Sequence, residues 1–273
     1  MTTATLATAE KILLRSDTHG LRSDTHGVAT LTLNRPKQYN ALSEELLTEL
    51  QSALEAIGKD ESVRVVVIAG SGTAFCAGHD LKQMRATPRK AYYQKLFAQC
   101  SKVMMAITQL PQPVIARVHG IATAAGCQLV AQCDLAVASD NAKFAVSGIN
   151  VALFCSTPSV PLARNVLRKQ AMEMLLTGDF IDAHTAVERG LVNRAVPADQ
   201  LDAAVAELAG KIINKSKVAV SIGKQMFYKQ MEMGLEGAYQ YAAEVMACNM
   251  MAEDVGEGID AFVEKRTPVW KGR

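Results

Sequence analysis

The stretch Arg117-Val-His-Gly-Ile-Ala-Thr-Ala-Ala-Gly-Cys-Gln128 follows an apolar run at residues 114–116 and leads into a short helix pattern over residues 124–132. Small residues therefore occupy a strand-to-helix turn, and nothing covers its backbone. At a helix start the amide N–H groups have no intrahelical partner, and the aligned peptide dipoles add partial positive charge. Such a turn suits a developing oxyanion, the oxygen of an enolate or of a tetrahedral intermediate. A second small-residue turn, Phe75-Cys-Ala-Gly-His-Asp-Leu81, follows a β-branched run at residues 63–69 and precedes a polar helix pattern. Two such turns can supply one N–H each.

Working outward, Val28-Ala-Thr-Leu-Thr-Leu-Asn34 alternates as a half-buried strand, and Arg35-Pro36 ends it. A helix follows: Ser43 is a good N-cap, Glu44 and Glu45 suit the positive end of the dipole, and Leu46, Leu47, Leu50, Leu54 and Ile57 form one apolar stripe. Residues 64–69 read as a buried strand. Residues 89–110 read as a long helix with Leu96, Val103, Met104 and Ile107 inward, broken at Pro111 and Pro113. Residues 114–118 and 135–139 are further strands. This alternation predicts a mainly parallel sheet covered by helices. From Pro158 onward the pattern is mostly helical: residues 171–177, 183–189, 198–214, 217–231, 236–252 and 254–265, with one short strand at 191–196. The methionines at 104, 105, 172 and 174 and the cluster over 246–251 fit helical stripes as core or subunit contacts.

Length and composition bound the function. A chain of 273 residues is one large domain or a domain with a helical appendage. A net charge of +2 with interspersed charges gives no electrostatic case for nucleic acid or an anionic membrane. Six cysteines without metal-like or framework spacing suit reduced thiols and no zinc site. Residues 1–10 carry neither an apolar run nor an Arg-rich pattern, so a cytoplasmic location is expected. Leu14-Arg-Ser-Asp-Thr-His-Gly20 recurs letter for letter at residues 21–27. The duplication reads as a lengthened hairpin loop between strands at 11–15 and 28–34, in preference to a His/Asp metal-binding arm, because loop-closure entropy grows only logarithmically with length.

The pair Phe-Cys-Ala-Gly-His-Asp-Leu and Ala-Ala-Gly-Cys-Gln-Leu, with Asn34-Arg-Pro upstream and Ala261-Phe-Val-Glu-Lys-Arg near the end, resembles the signatures of the crotonase (enoyl-CoA hydratase/isomerase) superfamily over roughly residues 10–270. The resemblance is closest to the enoyl-CoA hydratase domain-containing subgroup that lacks the catalytic glutamate pair. It implies an α/β fold, a spiral of β-β-α units over residues 10–197, with a helical region at 198–273 that packs on the core and on neighbouring subunits as a homotrimer or dimer of trimers. It also implies an acyl-CoA thioester as ligand, no permanently bound cofactor, and a place in fatty-acid or acyl-CoA metabolism.

By the same resemblance the backbone N–H groups of His79 and Ala125 are the oxyanion donors, with the His79 ring facing the CoA channel or solvent. Ala125 stands where many relatives carry Gly and restricts the backbone slightly. The hydratase glutamates fall on Gln128 and Gly148. An Asp that some isomerising or dehalogenating relatives use falls near Ser156. Between residues 116 and 162 the only acids are Asp134 and Asp140, which read as turn and cap residues. Gln128, Cys155 and Ser156 remain in the pocket by register, with His79 at its mouth. A Cys155 thiol beside an oxyanion hole suggests a thioesterase as one alternative, and a non-catalytic acyl-CoA binder is the other. Asp80 reads as a helix cap and His119 as a core histidine with a backbone partner. For CoA itself the resemblance points to Ala41, Leu42, Ala77 and Leu81, to Lys37 near the phosphates, and to Phe262 and Lys265 closing over the ligand.

Overall fold

The computed structural model describes residues 11–18 and 27–273. Its strands are β1 (Leu13–Thr18), β2 (Val28–Leu33), β3 (Val65–Gly70), β4 (Ala74–Cys76), β5 (Val114–Val118), β6 (Ile121–Thr123), β7 (Leu135–Ser139), β8 (Lys143–Ala145), β9 (Ile181–Asp182) and β10 (Arg194–Val196). Its helices are α1 (Glu44–Gly58), α2 (Leu81–Ala86), α3 (Lys90–Gln109), α4 (Ala125–Gln132), α5 (Ser156–Asn165), α6 (Arg168–Thr177), α7 (Ala183–Glu188), α8 (Leu201–Ile213), α9 (Lys217–Gln230), α10 (Leu235–Met250) and α11 (Glu253–Glu264).

Two sheets result. The larger has the order β1-β2-β3-β5-β7-β10, parallel except where β1 runs antiparallel to β2. The smaller has the order β4-β6-β8-β9, in which β4, β6 and β8 are parallel and β9 is antiparallel. Each turn of the chain thus lays one strand in the first sheet, one short strand in the second, and then a helix: β3-β4-α2, β5-β6-α4, β7-β8-α5. This is the β-β-α spiral that the resemblance implied. Residues 19–26, which hold most of the duplicated heptad, lie outside the described residues. The flanking strands pair from Leu13↔Leu33 to Thr18↔Val28, so the first strand runs past Arg15 to Thr18 and takes up five residues of the first copy of the heptad.

The predicted helix stripes are where the core lies. Leu46, Leu47, Leu50, Leu54 and Ile57 are fully buried, as are Val103 and Ile107 of α3, and Ser43 caps α1 by accepting the Leu46 N–H at 3.3 Å. On the other face of the larger sheet, Leu201, Val205, Ala209 and Ile213 of α8 pack on Val28, Val65, Val67, Ile115 and Val137. A buried cluster ties α9 to the start of β5. Lys224 Nζ donates to Asp134 (2.6 Å), Ile107 O (2.8 Å) and Gln112 O (2.9 Å), while Asp134 also accepts from Tyr228 Oη and the Val114 N–H, both at 2.7 Å. Asp134 is therefore more than a turn residue. Among the described residues no helix is long and apolar enough to cross a membrane.

Candidate active site

The first turn is braced by Leu42. Its N–H donates to Gly78 O at 2.7 Å and its carbonyl accepts the Asp80 N–H at 3.2 Å, a parallel bridge centred on His79. Because neighbouring residues of an extended chain spend their polar groups on this bridge, the N–H of His79 itself points to the opposite side. Asp80 caps α2, accepting from the N–H groups of Lys82 (3.1 Å) and Gln83 (3.2 Å). Burial alone raises the Asp80 carboxyl, but the Gln83 N–H and the Arg35 guanidinium more than offset it and hold it below its ordinary value.

The second turn is strained. Ala124 has φ +50° and ψ −120°, a region that L-residues rarely occupy and that costs on the order of 1–3 kcal/mol. The conformational constraint expected at Ala125 thus falls one residue earlier. The Ala124 N–H donates to Ala145 O of β8 and its carbonyl accepts the Gln128 N–H, both at 3.0 Å, so strand and helix together hold the peptide in place. The two turns touch. A Cβ on Gly78, whose φ is +92°, would sit 2.9 Å from Ala124 Cβ and 3.1 Å from Ala125 N. A Cβ on Gly126 would sit 2.0 Å from Cys76 O. Glycine at both places lets β4 and the start of α4 approach backbone to backbone. Neither the His79 N–H nor the Ala125 N–H donates to a described residue.

Both residues line one cavity of about 200 Å³. Its wall is made by Met84 and Phe97, by Val151, Leu153 and Phe154, and by Pro158, with Ala77, Gly148, Cys155 and Ser156 also contributing. Among the described residues no Asp, Glu, Lys or Arg lines it. The His79 ring lies edge-on to Phe97, centroids 5.4 Å apart, and burial lowers its pKa to about 4. The half-buried ring is a neutral wall of the cavity, with Nε2 shut away from solvent and unpartnered among the described residues. Cys155 Sγ accepts the Gly148 N–H at 3.3 Å, and burial raises its pKa, so the thiol stays protonated. The Ser147 and Thr123 hydroxyls pair with each other at 2.7 Å.

The remaining predicted residues separate into two groups. Ala77 and Leu81 join the cavity wall, and Leu81, Met84, Val151 and Leu153 continue into an outer groove also lined by Lys82, Arg85 and Tyr93. Lys82 and Arg85 had a signal in the sequence, four basic residues and no acid over residues 81–94, which the family pattern did not single out. Gln128 is 4% exposed, does not line the cavity, and leaves its Oε1 without a described partner. Ala41 and Leu42 are buried braces and Lys37 is exposed on a 3₁₀ turn. Phe262 (85% exposed) and Lys265, the left-handed cap of α11, do not reach this cavity within one chain. His119 Nε2 bonds Gly72 O at 2.9 Å, as a half-buried structural histidine does.

Residues 23–273 match the family model described as enoyl-CoA hydratase/isomerase. The human protein named enoyl-CoA hydratase domain-containing protein 3, mitochondrial, is 46% identical over 243 residues, covering 89% of this chain and 80% of that one. A crystal structure of an enoyl-CoA hydratase from Mycobacterium smegmatis is 57% identical, with a TM-score of 0.92 over 96% of this chain and 99% of that one. The crystal structure of the human domain-containing protein 3 gives 43% identity and a TM-score of 0.90 over 95% and 100%. The cytoplasmic location expected from residues 1–10 and from the cysteines is corrected here, because the human relative and its rat, mouse and frog counterparts at 45–46% identity are named mitochondrial. Reduced thiols and interspersed charge describe any reducing compartment and do not single out the cytoplasm.

Proposed function

The chain belongs to the enoyl-CoA hydratase/isomerase family, and from that premise we propose that it binds an acyl-CoA thioester with the carbonyl oxygen between the His79 and Ala125 N–H groups. One observation supports the reading: two turns far apart in sequence meet at Gly78, both residues line a single cavity, and neither N–H has an acceptor among the described residues. Donors fixed in a water-poor, low-dielectric site are worth most when negative charge develops on the oxygen, so the arrangement favours an enolate. Coenzyme A enters as part of the substrate and no resident cofactor is needed. Lys82 and Arg85 in the outer groove offer positive charge to its phosphates.

The same cavity argues against hydration by a glutamate pair. Adding water across an enoyl thioester calls for one group to activate water and another to deliver a proton. By the register we propose, Gln128 and Gly148 replace those glutamates, an amide exchanges no proton near neutral pH, and among the described residues no carboxylate lines the cavity. A protonated Cys155 with no charged partner is equally poor as a nucleophile. The chemistry that remains is proton movement next to a polarised thioester in acyl-CoA metabolism, with the neutral His79 imidazole in the cavity wall taking the α proton and returning it or solvent deuterium to the carbon. We assign the site to the spiral of residues 10–197 and subunit contacts to residues 198–273. There Leu235, Tyr239, Met251, Phe262 and Val263 are each at least 72% exposed, an apolar display that suits a trimer or a dimer of trimers, to be measured by sedimentation equilibrium.

The deciding experiment mixes the protein with a panel of acyl-CoAs in heavy water and follows deuterium at the α carbon and free CoA in parallel. Deuterium uptake without CoA release is the expected result. Binding with neither uptake nor release would make the protein a non-catalytic acyl-CoA carrier, and CoA release abolished by Cys155→Ala would make it a thioesterase.

A further inference from the structure

The direction of the His79 N–H depends on Leu42, and Leu42 depends on a network one residue wide. Asn40 is fully buried in a left-handed conformation (φ +55°); its side chain donates to Ser71 O and Ala74 O, both at 2.8 Å, and accepts the Arg35 N–H at 2.9 Å. The Arg35 guanidinium then forks, giving one N–H to Ala41 O and another to Asp80 Oδ2 at 3.0 Å. The Ala77 N–H donates to Tyr39 O at 3.0 Å. Loop 35–42 and turn 77–80 are therefore stitched on both sides of His79, by Leu42 directly and by the Arg35 fork from outside.

We propose that Arg35 is a positioning residue for the oxyanion site: by holding Ala41 and Asp80 at once, it keeps Leu42 against Gly78 and Asp80 and so aims the His79 N–H into the cavity. The inference rests on the oxyanion reading above. A planar fork spans a carbonyl and a carboxylate together, which a single ammonium cannot. The Arg35–Asp80 pair is partly buried, both side chains 17% exposed, so it is screened less than a surface pair. Arg35 does not line the cavity; it acts through the backbone.

The test reads the bound carbonyl itself. Isotope-edited infrared difference spectra of ¹³C-labelled butyryl-CoA are recorded with the wild type, Arg35→Lys, Arg35→Met and Asp80→Asn, alongside the dissociation constant and the α-proton exchange rate. Asn at position 80 still caps α2 with its one oxygen but turns an NH₂ towards Arg35, so the helix is kept and the bridge is lost. In the wild type the bound carbonyl stretch shifts to lower frequency. Arg35→Met and Asp80→Asn lose most of that shift and exchange about 10- to 100-fold more slowly, as for a donor misplaced by about an ångström, while affinity changes less than threefold; Arg35→Lys is intermediate. A wild-type spectrum without the shift overturns the oxyanion reading and this proposal with it. A full shift in folded Arg35→Met overturns the positioning role alone, and if that variant does not fold, Asp80→Asn decides in the same way.

Discussion

In the register proposed above, Gly148 takes the place of a catalytic glutamate, and the structure has closed the space a side chain would need. A Cβ built there lies 2.4 Å from Leu153 O and 2.8 Å from Cys155 Sγ. The thiol can rotate, but the carbonyl belongs to a backbone with little slack: the Leu153 N–H donates to Gly148 O at 3.0 Å, the Ala152 N–H to Ile149 O at 3.0 Å, and Ala152 already has a left-handed φ of +60°. Gly148→Ala must push this loop outward. Overpacking of this kind costs about 1–3 kcal/mol, and at roughly 2–4 °C per kcal/mol for a chain of this size the melting temperature falls by about 2–12 °C. The same displacement moves Val151, Leu153 and Phe154, so acyl-CoA affinity falls with it. Differential scanning calorimetry and titration calorimetry on Gly148→Ala measure both. The double variant Gln128→Glu, Gly148→Glu is assayed for hydration of crotonyl-CoA, and no gain is expected because its second carboxylate has no prepared place. If Gly148→Ala melts with the wild type, or the double variant is folded and hydrates crotonyl-CoA, the reasoning from the closed loop is wrong.

His79 gives a pH prediction with a definite sign. Its unfolded imidazole takes a proton below about pH 6.5 and the folded one only near pH 4, so the unfolded state binds more protons between these values and stability falls as pH drops through that window, by at most ~3 kcal/mol; denaturant melts of His79→Leu across pH 7 to 4 should lose this part of the slope. Lys224→Met leaves Asp134 buried beside one hydroxyl and one N–H, and chemical denaturation should show a loss of about 3–5 kcal/mol. Restoring neutrality with Asp134→Asn in the same chain should recover part of it. Gly126→Ala forces a methyl to within 2.0 Å of Cys76 O and should abolish deuterium uptake even where circular dichroism shows a folded protein.

The sequence displays what repeats over many residues and hides what depends on one contact. Helix α1 was legible because five apolar positions and the Ser43 cap state the same answer independently, and all five side chains are buried where the stripe put them. Strands β4, β6 and β8 were not, since three residues such as Ala74-Phe-Cys76 are too short for alternation to register, and each is a strand only because neighbours 20 or more residues away pair with it. The two turns announced themselves through glycine, and Gly78 and Gly126 do sit where backbone meets backbone. The strain did not, because Ala124 carries φ +50° without the glycine that would have flagged it. Register from the family placed Gln128 in the pocket, whereas α4 turns that side chain into the protein. Arg35 was invisible for a different reason: its partners Ala41 and Asp80 lie on separate segments, and only the fold makes them neighbours. What a family pattern transmits is therefore the position of the amides; what aims them is written in side chains whose meaning appears after the chain has closed on itself. A site without a carboxylate keeps its function, on this view, only as long as that outer bracing holds two N–H groups convergent, so, the His79 base apart, the variants most damaging to α-proton exchange should lie behind the turns and not on the cavity wall.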